Sequence, residues 1–269
     1  MYLEHYNLRL KPFEESPDPK FFWLGEKYKE GLACLRYGIL ENKAFLLLNG
    51  DIGTGKTSLI NYFLSEHQMD AIVATIPDPD LSSLDFFKLI AKQFNIHIEF
   101  DTKGDFLNQF EPFLYNTFSE HKKAVLIIDE AQRLNQELLE QIRLLSNIEK
   151  KDVKLINIFF VGQNEVIDII KDEQNKALRQ RLTVHYTIAP LTEPETHQYI
   201  QYRLRVAGSE TAIFDAEAVH EVFSFSKGYP RLINIICDRS LLTGYISETA
   251  KITGPMVKQC ADDLKILVE

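Results

Sequence analysis

One eight-residue stretch, Gly50–Thr57, constrains this chain more than any other. It matches the pattern G-x-x-x-x-G-K-[ST] at every fixed position. The apolar run Ala44–Leu48 before it predicts a buried strand, and Ser58–Leu64 after it predicts a helix. A strand, a glycine-rich turn and a helix N-terminus together form an anion site, because backbone N–H groups and the helix dipole point at the ligand. The alternative, a chance glycine-rich turn, leaves the strand and helix unexplained. We therefore predict a phosphate-binding loop.

Two side chains of this loop are expected to act directly on a bound nucleotide. Lys56 would reach the β- and γ-phosphates, and the Thr57 hydroxyl would hold Mg²⁺. The expected ligands are therefore ATP and Mg²⁺. The residues expected to cradle the phosphates are Gly50, Asp51, Ile52, Gly53, Thr54, Gly55, Lys56, Thr57 and Ser58.

The charge balance bears on the class of partner. The chain has 269 residues, enough for one large domain or two small ones, and its 45% hydrophobic and 26% charged residues are typical of a soluble globular protein. Its net charge of −9 and pI of about 5.4 disfavour nucleic acid as the default partner, unless a local basic patch exists.

The cysteines and the apolar runs bear on the compartment. Cys34, Cys237 and Cys260 lack zinc or redox spacing, and no secretory signal opens the chain, so we expect reduced cytosolic thiols. No apolar run is long enough to cross a bilayer. The expected location is the cytoplasm.

From residue 44 to about 190, strand patterns alternate with helix patterns. This order predicts an α/β fold with a parallel sheet flanked by helices. The predicted strands are Ala44–Leu48, Ala71–Ile76, Ala124–Ile128, Val153–Val161 and Thr183–Ile188, and the predicted helices include Ser82–Asn95, Phe106–Phe118 and Glu137–Ile148.

After Pro190 the pattern becomes helical throughout. Thr192 and Glu195 form a capping box around Pro194, which predicts a helix start. The predicted domains are an N-terminal extension over 1–43, an α/β ATPase domain over 44–190 and a helical lid over 191–269. The predicted lid helices are Glu195–Val206, Asp215–Phe225, Arg231–Tyr245 and Pro255–Leu267.

Two carboxylates follow the apolar run Val125–Ile128. Asp129 and Glu130 thus fall at the carboxyl end of a buried strand, the functional edge of such sheets. We expect Asp129 to assist Mg²⁺ and Glu130 to orient or activate the attacking water. The alternative is a strand followed by a solvated turn.

A polar residue ends the next long strand. Gln163 follows Gly162, which would let the chain approach closely, so Gln163 is a candidate sensor of the γ-phosphate. Asn157 is an alternative candidate. The competing interpretation of Gln163 is a turn residue bonded to local backbone.

Three arginines are candidates for phosphate contact. Arg179 and Arg181 precede a strand, and one of them could serve as an arginine finger in a neighbouring subunit, because a guanidinium stays charged and grips phosphate oxygens. Arg231 follows Pro230 at a helix start and is expected to reach a phosphate. For each arginine the alternative is a surface ion pair.

With these motifs in order, the chain resembles the AAA+ ATPases of the ExeA/GspA type, the general secretion pathway protein A family. The resemblance implies the AAA+ fold with a C-terminal helical lid, a sensor-1 role for Gln163 and a sensor-2 role for Arg231. It also places the opening segment, with Phe21–Leu24, near the adenine. The matching segments are Tyr6–Phe13, Ser16–Phe21, Asp129–Gln132, Arg143–Asn147, Val161–Gln163, Leu178–Arg181 and Lys227–Arg231.

The resemblance also implies partners. Such ATPases form oligomers at the cytoplasmic face of the inner membrane, act with envelope proteins in secretion or pilus assembly, and often continue into a transmembrane helix and a periplasmic region. The chain ends at Glu269, as either the ATPase part of such a protein or a short relative. The alternatives are a DNA-dependent regulator of transposition, a nucleotide-gated binding module with little hydrolysis, and a metabolic kinase.

Overall fold

A computed structural model of the chain describes residues 2–14, 18–66 and 70–268. The chain divides into two compact units. The sheet unit comprises residues 27–51 and 66–188, and the helical unit comprises 1–26, 52–65 and 189–269. The domain ranges predicted from the sequence stay a prediction, and Ser16 and Pro17 of the opening segment lie outside the described residues.

Five parallel strands form the centre of the sheet unit, in the order β2-β3-β6-β1-β7. The three central strands, β1, β3 and β6, are short, apolar and almost fully buried, as expected for strands covered on both faces, whereas the edge strand β7 alternates apolar and polar residues. Their bounds are β1 Phe45–Asn49, β2 Ala71–Ile76, β3 Lys123–Ile128, β6 Ile156–Gly162 and β7 Leu182–Thr187.

A short hairpin precedes β6 and corrects one prediction. The sequence predicts a single strand over Val153–Val161, but β4 (Glu149–Lys150) and β5 (Val153–Lys154) pair with each other in an antiparallel hairpin. Its turn residues, Lys151 and Asp152, have φ of 50° and 66°, so the chain reverses there before β6 begins.

Helices cover both faces of the sheet. One face, which includes Phe45 and Phe160, packs on buried side chains of the helices that connect the strands. On the other face α2 approaches closely, because a Cβ added at Gly38 would lie 2.9 Å from Leu46 Cδ1. The helix bounds are α2 Glu26–Leu40, α4 Ser83–Gln93, α5 Lys103–Ser119, α6 Gln136–Leu145, α7 Glu165–Lys171 and α8 Lys176–Arg179.

The helical unit contains the remaining helices, and α10, α11 and α12 pack on one another. Pro230 is the first residue of α11, where a missing N–H costs nothing. The bounds are α1 Tyr2–His5, α3 Lys56–Ser65, α9 Glu193–Val206, α10 Ala216–Ser226, α11 Pro230–Ile246 and α12 Gly254–Val268. The predicted parallel sheet with a C-terminal helical region is confirmed.

A buried arginine anchors the N-terminal segment to α9. Arg203 is 6% exposed, and its guanidinium donates to the backbone oxygens of Pro12 and Glu14 at 2.5 and 3.0 Å. It also donates to Tyr199 Oη at 2.8 Å and lies 5.2 Å from the ring centroid of Phe21. These contacts fix the segment on the helix mainly through its main-chain oxygens.

Among the described residues, none of the helices combines the length and hydropathy required for a membrane span.

Candidate functional site

The phosphate loop has the backbone that its glycines predict. Gly53 and Gly55 have φ of 79° and 90°, where side-chain-bearing residues are strained. Helix α3 begins at Lys56, and the N–H of Leu59 donates to the Gly55 carbonyl at 2.9 Å as a first helical bond. Lys56 is 8% exposed, whereas Thr57 is exposed in the first helical turn. The loop therefore opens a ten-residue helix at the residue expected to contact phosphate.

Arg231 lies beside this loop within the helical unit. Its backbone N–H donates to the carbonyl oxygen of Gly53 at 3.3 Å, and a Cβ added at Gly53 would lie 3.0 Å from Arg231 Cβ. The Arg231 residue is exposed at the start of α11. The structure thus brings Arg231 next to the loop, and its phosphate contact stays a prediction.

Gly228 lets the chain before α11 pass close to the main chain of Leu191. Gly228 has φ of 81°, and an added Cβ would lie 1.8 Å from the Leu191 carbonyl oxygen. The N–H of Leu191 donates to the Gly228 carbonyl at 2.9 Å. Only glycine fits this backbone crossing, which precedes Pro230 and Arg231 in the chain.

The two carboxylates and Gln163 lie at one edge of the sheet. Strands β3 and β6 are parallel neighbours in which Ile128 pairs with Phe160, so the residues that follow them share the carboxyl edge. The Asp129 N–H donates to the Ile76 carbonyl at 2.8 Å, and Gln163 Nε2 contacts Glu130 Oε2 at 3.4 Å. The structure therefore brings Gln163 to Glu130, as a sensor position requires.

Glu130 has a strained backbone. Its φ of 49° and ψ of 39° place it in the left-handed region, which costs about 1 kcal/mol or more for a residue with a side chain. Its N–H donates to Asp129 Oδ1 at 2.9 Å, and its carbonyl accepts from the Arg133 N–H at 2.8 Å. The turn that follows β3 thus holds the carboxylate in one orientation.

Gln132 also contacts Glu130, and no role was predicted for it from the sequence. Its Nε2 donates to Glu130 Oε2 at 2.5 Å, and its Oε1 accepts from the Gln163 N–H at 3.0 Å. The signal in the sequence was weak, a polar residue two positions after the carboxylate.

A second polar network joins the start of the phosphate loop to the sheet. Asn49, fully buried at the end of β1, donates to Asn164 Oδ1 at 2.6 Å, and Asn164 donates to Asp51 Oδ1 at 2.5 Å. The Asn49 Oδ1 atom accepts from Thr187 at 2.9 Å and lies 2.7 Å from His185 Nε2, where burial lowers the pKa of the imidazole. The network thus links Asp51 to side chains from the ends of three neighbouring strands. The signal for it in the sequence was a polar residue, Asn49, at the end of an apolar strand.

Asn157 is not part of this edge. It lies near the amino end of β6, opposite Val125, and its Nδ2 donates to the Gly38 and Lys43 carbonyls at 3.3 and 2.8 Å. Its prediction as an alternative sensor is wrong, because the strand carries it to the opposite edge of the sheet.

Both candidate finger arginines contact groups of their own chain. Arg181 Nη1 donates to Ser146 Oγ at 3.0 Å and to Asn147 Oδ1 at 2.5 Å, at the end of α6. Arg179 contacts the Lys171 carbonyl and Glu173 Oε1. The Arg181 side chain is thus bonded to the residues that follow α6, and the Arg179 side chain to the residues at the end of α7.

The donor groups suit a cation that keeps some of its water. Among the described residues, three or more His, Cys, Asp or Glu side chains are nowhere grouped to hold a metal ion. A hydroxyl such as that of Thr57 and a carboxylate such as that of Asp129 are each groups that Mg²⁺ accepts beside the oxygens of phosphate and water. Thr57, in the helical unit, and Asp129, in the sheet unit, stay the predicted residues that would hold it.

Two comparisons of the sequence with known proteins identify relatives. Residues 39–170 match the family model described as AAA domain. The chain is 34% identical over 253 residues to the general secretion pathway protein A of Aeromonas hydrophila, covering 94% of this chain. The chain spans 46% of that protein's length.

Solved structures share the fold. The ORC2 protein of Aeropyrum pernix, with ADPNP and ADP, has a TM-score of 0.69 at 15% identity, covering 94% of this chain and 71% of that chain. Drosophila ORC bound to DNA has a TM-score of 0.69 at 17% identity, covering 96% of this chain and 64% of that chain. The Thermotoga maritima RuvB branch migration motor has a TM-score of 0.58 at 18% identity, covering 89% of this chain and 70% of that chain. At these identities the likeness shows the fold alone.

Proposed function

The chain belongs to the AAA+ ATPases of the general secretion pathway protein A type, and from this premise we propose that it binds and hydrolyses ATP with Mg²⁺ as an oligomer. The observation that carries the proposal is the phosphate loop, with its two glycines at positive φ and its helix beginning at Lys56. This backbone presents N–H groups and a helix N-terminus to phosphate oxygens.

Each catalytic role follows from chemistry and position. Lys56 would neutralise charge on the β- and γ-phosphates, and Glu130 would orient and activate the attacking water. Gln163, bonded to Glu130, would sense the γ-phosphate, and Arg231 would contact the phosphates from its place beside Gly53. Mg²⁺ held by Thr57 and Asp129 would stabilise the charge that develops on the phosphate oxygens.

The oligomer would complete the site. Phosphoryl transfer depends mainly on positioning and charge, and an arginine supplied by a neighbouring subunit raises the rate by about 10³ to 10⁵ in known cases. Arg181 is the first candidate for this finger and Arg179 the second. We therefore expect slow hydrolysis in the monomer.

The biological role that we propose is assistance to an envelope secretion or pilus machine, with an envelope or membrane-anchored protein as partner, at the cytoplasmic face of the inner membrane. The relative from Aeromonas hydrophila carries the name of the general secretion pathway and supports this role. DNA is the alternative partner, since one protein of the same fold was solved bound to DNA.

The first experiment measures ATP hydrolysis per subunit against protein concentration, with and without duplex DNA. A rate that climbs with concentration and ignores DNA supports an assembling envelope ATPase. A rate near zero until DNA is added, and steeply dependent on salt, supports the transposition-type regulator instead. Lys56→Ala is the matched blank for contaminating activity.

A second experiment separates an enzyme from a nucleotide-gated binding module. Glu130→Gln keeps the shape of the side chain but removes the carboxylate that activates water. We expect this variant to bind ATP normally and to lose turnover. If wild type and variant bind ATP and turn over equally slowly, the binding module is the better description.

A further inference from the structure

We propose that Gln132 is a positioning residue that holds the Glu130 carboxylate against the end of β6 and so sets the geometry of water activation. This inference rests on the proposed function. The contacts that carry it join three residues from two neighbouring strand ends: Glu130, Gln132 and Gln163.

The Gln132 amide fits its two partners in one orientation only. The Gln163 backbone N–H can only donate, so it must meet the amide oxygen, at 3.0 Å. An ionised Glu130 carboxylate can only accept, so it must meet the amide nitrogen, at 2.5 Å. A planar amide that satisfies both partners fixes the distance between the Gln163 backbone and the Glu130 carboxylate.

The contact also chooses between the two oxygens of Glu130. Gln132 Nε2 and Gln163 Nε2 both contact Oε2. The other oxygen, Oε1, is therefore the one that can accept a hydrogen bond from the attacking water. A carboxylate held by one oxygen presents the other at a defined angle, which is what a general base requires.

The strained backbone of Glu130 explains why such a support is needed. A residue at φ 49° with a side chain persists in this conformation when surrounding contacts over-determine it. Gln132 supplies such a contact at the side-chain end, and Asp129 Oδ1 supplies one at the Glu130 N–H.

Gly162 makes room for this arrangement. Its φ is not positive, so its freedom of backbone is not what the site uses. A Cβ added there would lie 2.7 Å from Gln132 Oε1 and 3.2 Å from the Ala131 nitrogen. Any side chain at position 162 would therefore displace the Gln132 amide from the Gln163 N–H.

The test begins with a readout that does not depend on turnover. In a ¹H–¹⁵N spectrum the side-chain amide of Gln132, assigned by its loss in Gln132→Ala, should move on Glu130→Ala, because its carboxylate acceptor disappears. A Gln132 amide signal that ignores Glu130→Ala would overturn the contact and the proposal with it.

The kinetic test compares kcat with KM. We expect Gln132→Ala to lower kcat by about 10²-fold, the effect of misplacing a catalytic group by about 1 Å, and to leave KM within about twofold. Gln174→Ala, at an exposed glutamine that follows α7, is the matched control and should keep wild-type kcat. A Gln132→Ala kcat within twofold of wild type would overturn the proposal.

A double variant tests whether a side chain at position 162 acts through Gln132. Gly162→Ala should lower kcat by displacing Gln132, so adding Gln132→Ala to it should cause little further loss. Full additivity of the two losses would contradict the shared mechanism. Equal urea midpoints among the variants exclude misfolding as the cause.

The failure of the proposed function has a separate signature. If the wild type hydrolyses ATP no faster than Lys56→Ala, the proposed function fails, and a positioning role in that reaction fails with it. If the wild type hydrolyses ATP and Gln132→Ala matches it, only the positioning role fails.

Discussion

The backbone N–H of Arg231 donates to the carbonyl oxygen of Gly53, so the first turn of α11 and the middle of the phosphate loop are joined through main-chain atoms. The two residues approach so closely that a Cβ at Gly53 would lie 3.0 Å from Arg231 Cβ. The hydrogen bond itself uses no atom of the arginine side chain. A variant at this position therefore keeps the N–H that makes the bond while it tests the side chain for a role with nucleotide.

Arg231→Ala should weaken ATP binding, and its effect on stability is measured separately. Hydrogen bonds to charged groups contribute about 1.5–3 kcal/mol, which corresponds to about 10- to 150-fold in affinity. Titration with ATP and thermal unfolding measure the two quantities. Arg239→Ala, an exposed arginine on the same helix, is the control. Equal ATP affinity in the two variants would rule out the assigned role.

Arg181→Ala should spare ATP binding and remove the turnover that depends on oligomerisation, by about 10³-fold or more. Because Arg181 also holds Ser146 and Asn147, Arg181→Lys is needed beside it to keep the charge without the planar fork. Steady-state ATPase rates at high protein concentration provide the measurement, and Arg179→Ala is the comparison.

A mixing experiment shows whether the finger acts between subunits. Arg181→Ala and Lys56→Ala should each be inactive, whereas an equimolar mixture should recover part of the activity, because some interfaces then combine an intact loop with an intact arginine. Normal turnover of Arg181→Ala alone would refute the finger assignment.

Gly228→Ala should destabilise the protein by more than about 2 kcal/mol, since it combines a left-handed φ with a collision against the main chain. The added Cβ would lie 1.8 Å from the Leu191 oxygen. Gly104→Ala in α5 is the matched control, because its Cβ would meet only Thr102 Oγ1, at 3.7 Å. That change should stabilise the protein by about 0.5–1 kcal/mol. Urea unfolding of both variants provides the measurement, and equal midpoints would contradict the prediction.

The pKa values of His185 and His220 should depart from 6.5 in opposite directions. Burial lowers the pKa of His185, so stability should decline as the pH falls below 6.5 and the unfolded chain takes up the proton more readily. The Glu193 carboxylate accepts a hydrogen bond from His220 Nδ1 and raises the pKa of His220, and the charges of Glu221 and Glu217 add to this effect. Its contribution is present below pH 6.5 and is lost as the pH rises through the raised pKa.

NMR titration of the two imidazoles checks this prediction. Glu193→Gln should bring the pKa of His220 back toward 6.5 and leave that of His185 in place. Coincident titration of both rings in the wild type would show that neither environment acts as the geometry indicates.

The parts of the site that follow from local sequence were predictable. The loop Gly50–Thr57 and the run Val125–Glu130 each carry their own strand and turn, so their positions at the sheet edge follow from a parallel fold. The bond from the Gln163 N–H to Gln132 was not, because it depends on the register between β3 and β6 and on the missing side chain of Gly162.

The wrong prediction for Asn157 has a similar origin. A polar residue in an apolar strand signals a special environment, but it does not tell which end of the strand the residue occupies. The predicted strand Val153–Val161 included part of a hairpin, and the observed strand β6 begins only at Ile156. Asn157 is therefore the second residue of β6 and lies at the amino edge of the sheet. The pairing between strands, rather than the local sequence pattern, determines at which edge of the sheet such a residue lies.

The anchor formed by Arg203 holds residues 12–14 through their main chain. Its acceptors in residues 12–14 are main-chain carbonyls, which every amino acid carries. The exposed Glu14 side chain could therefore be replaced without loss of these two hydrogen bonds, whereas replacement of the arginine would remove both of them. The two ends of the contact thus differ in their tolerance of substitution, because one end is a side chain and the other is main chain.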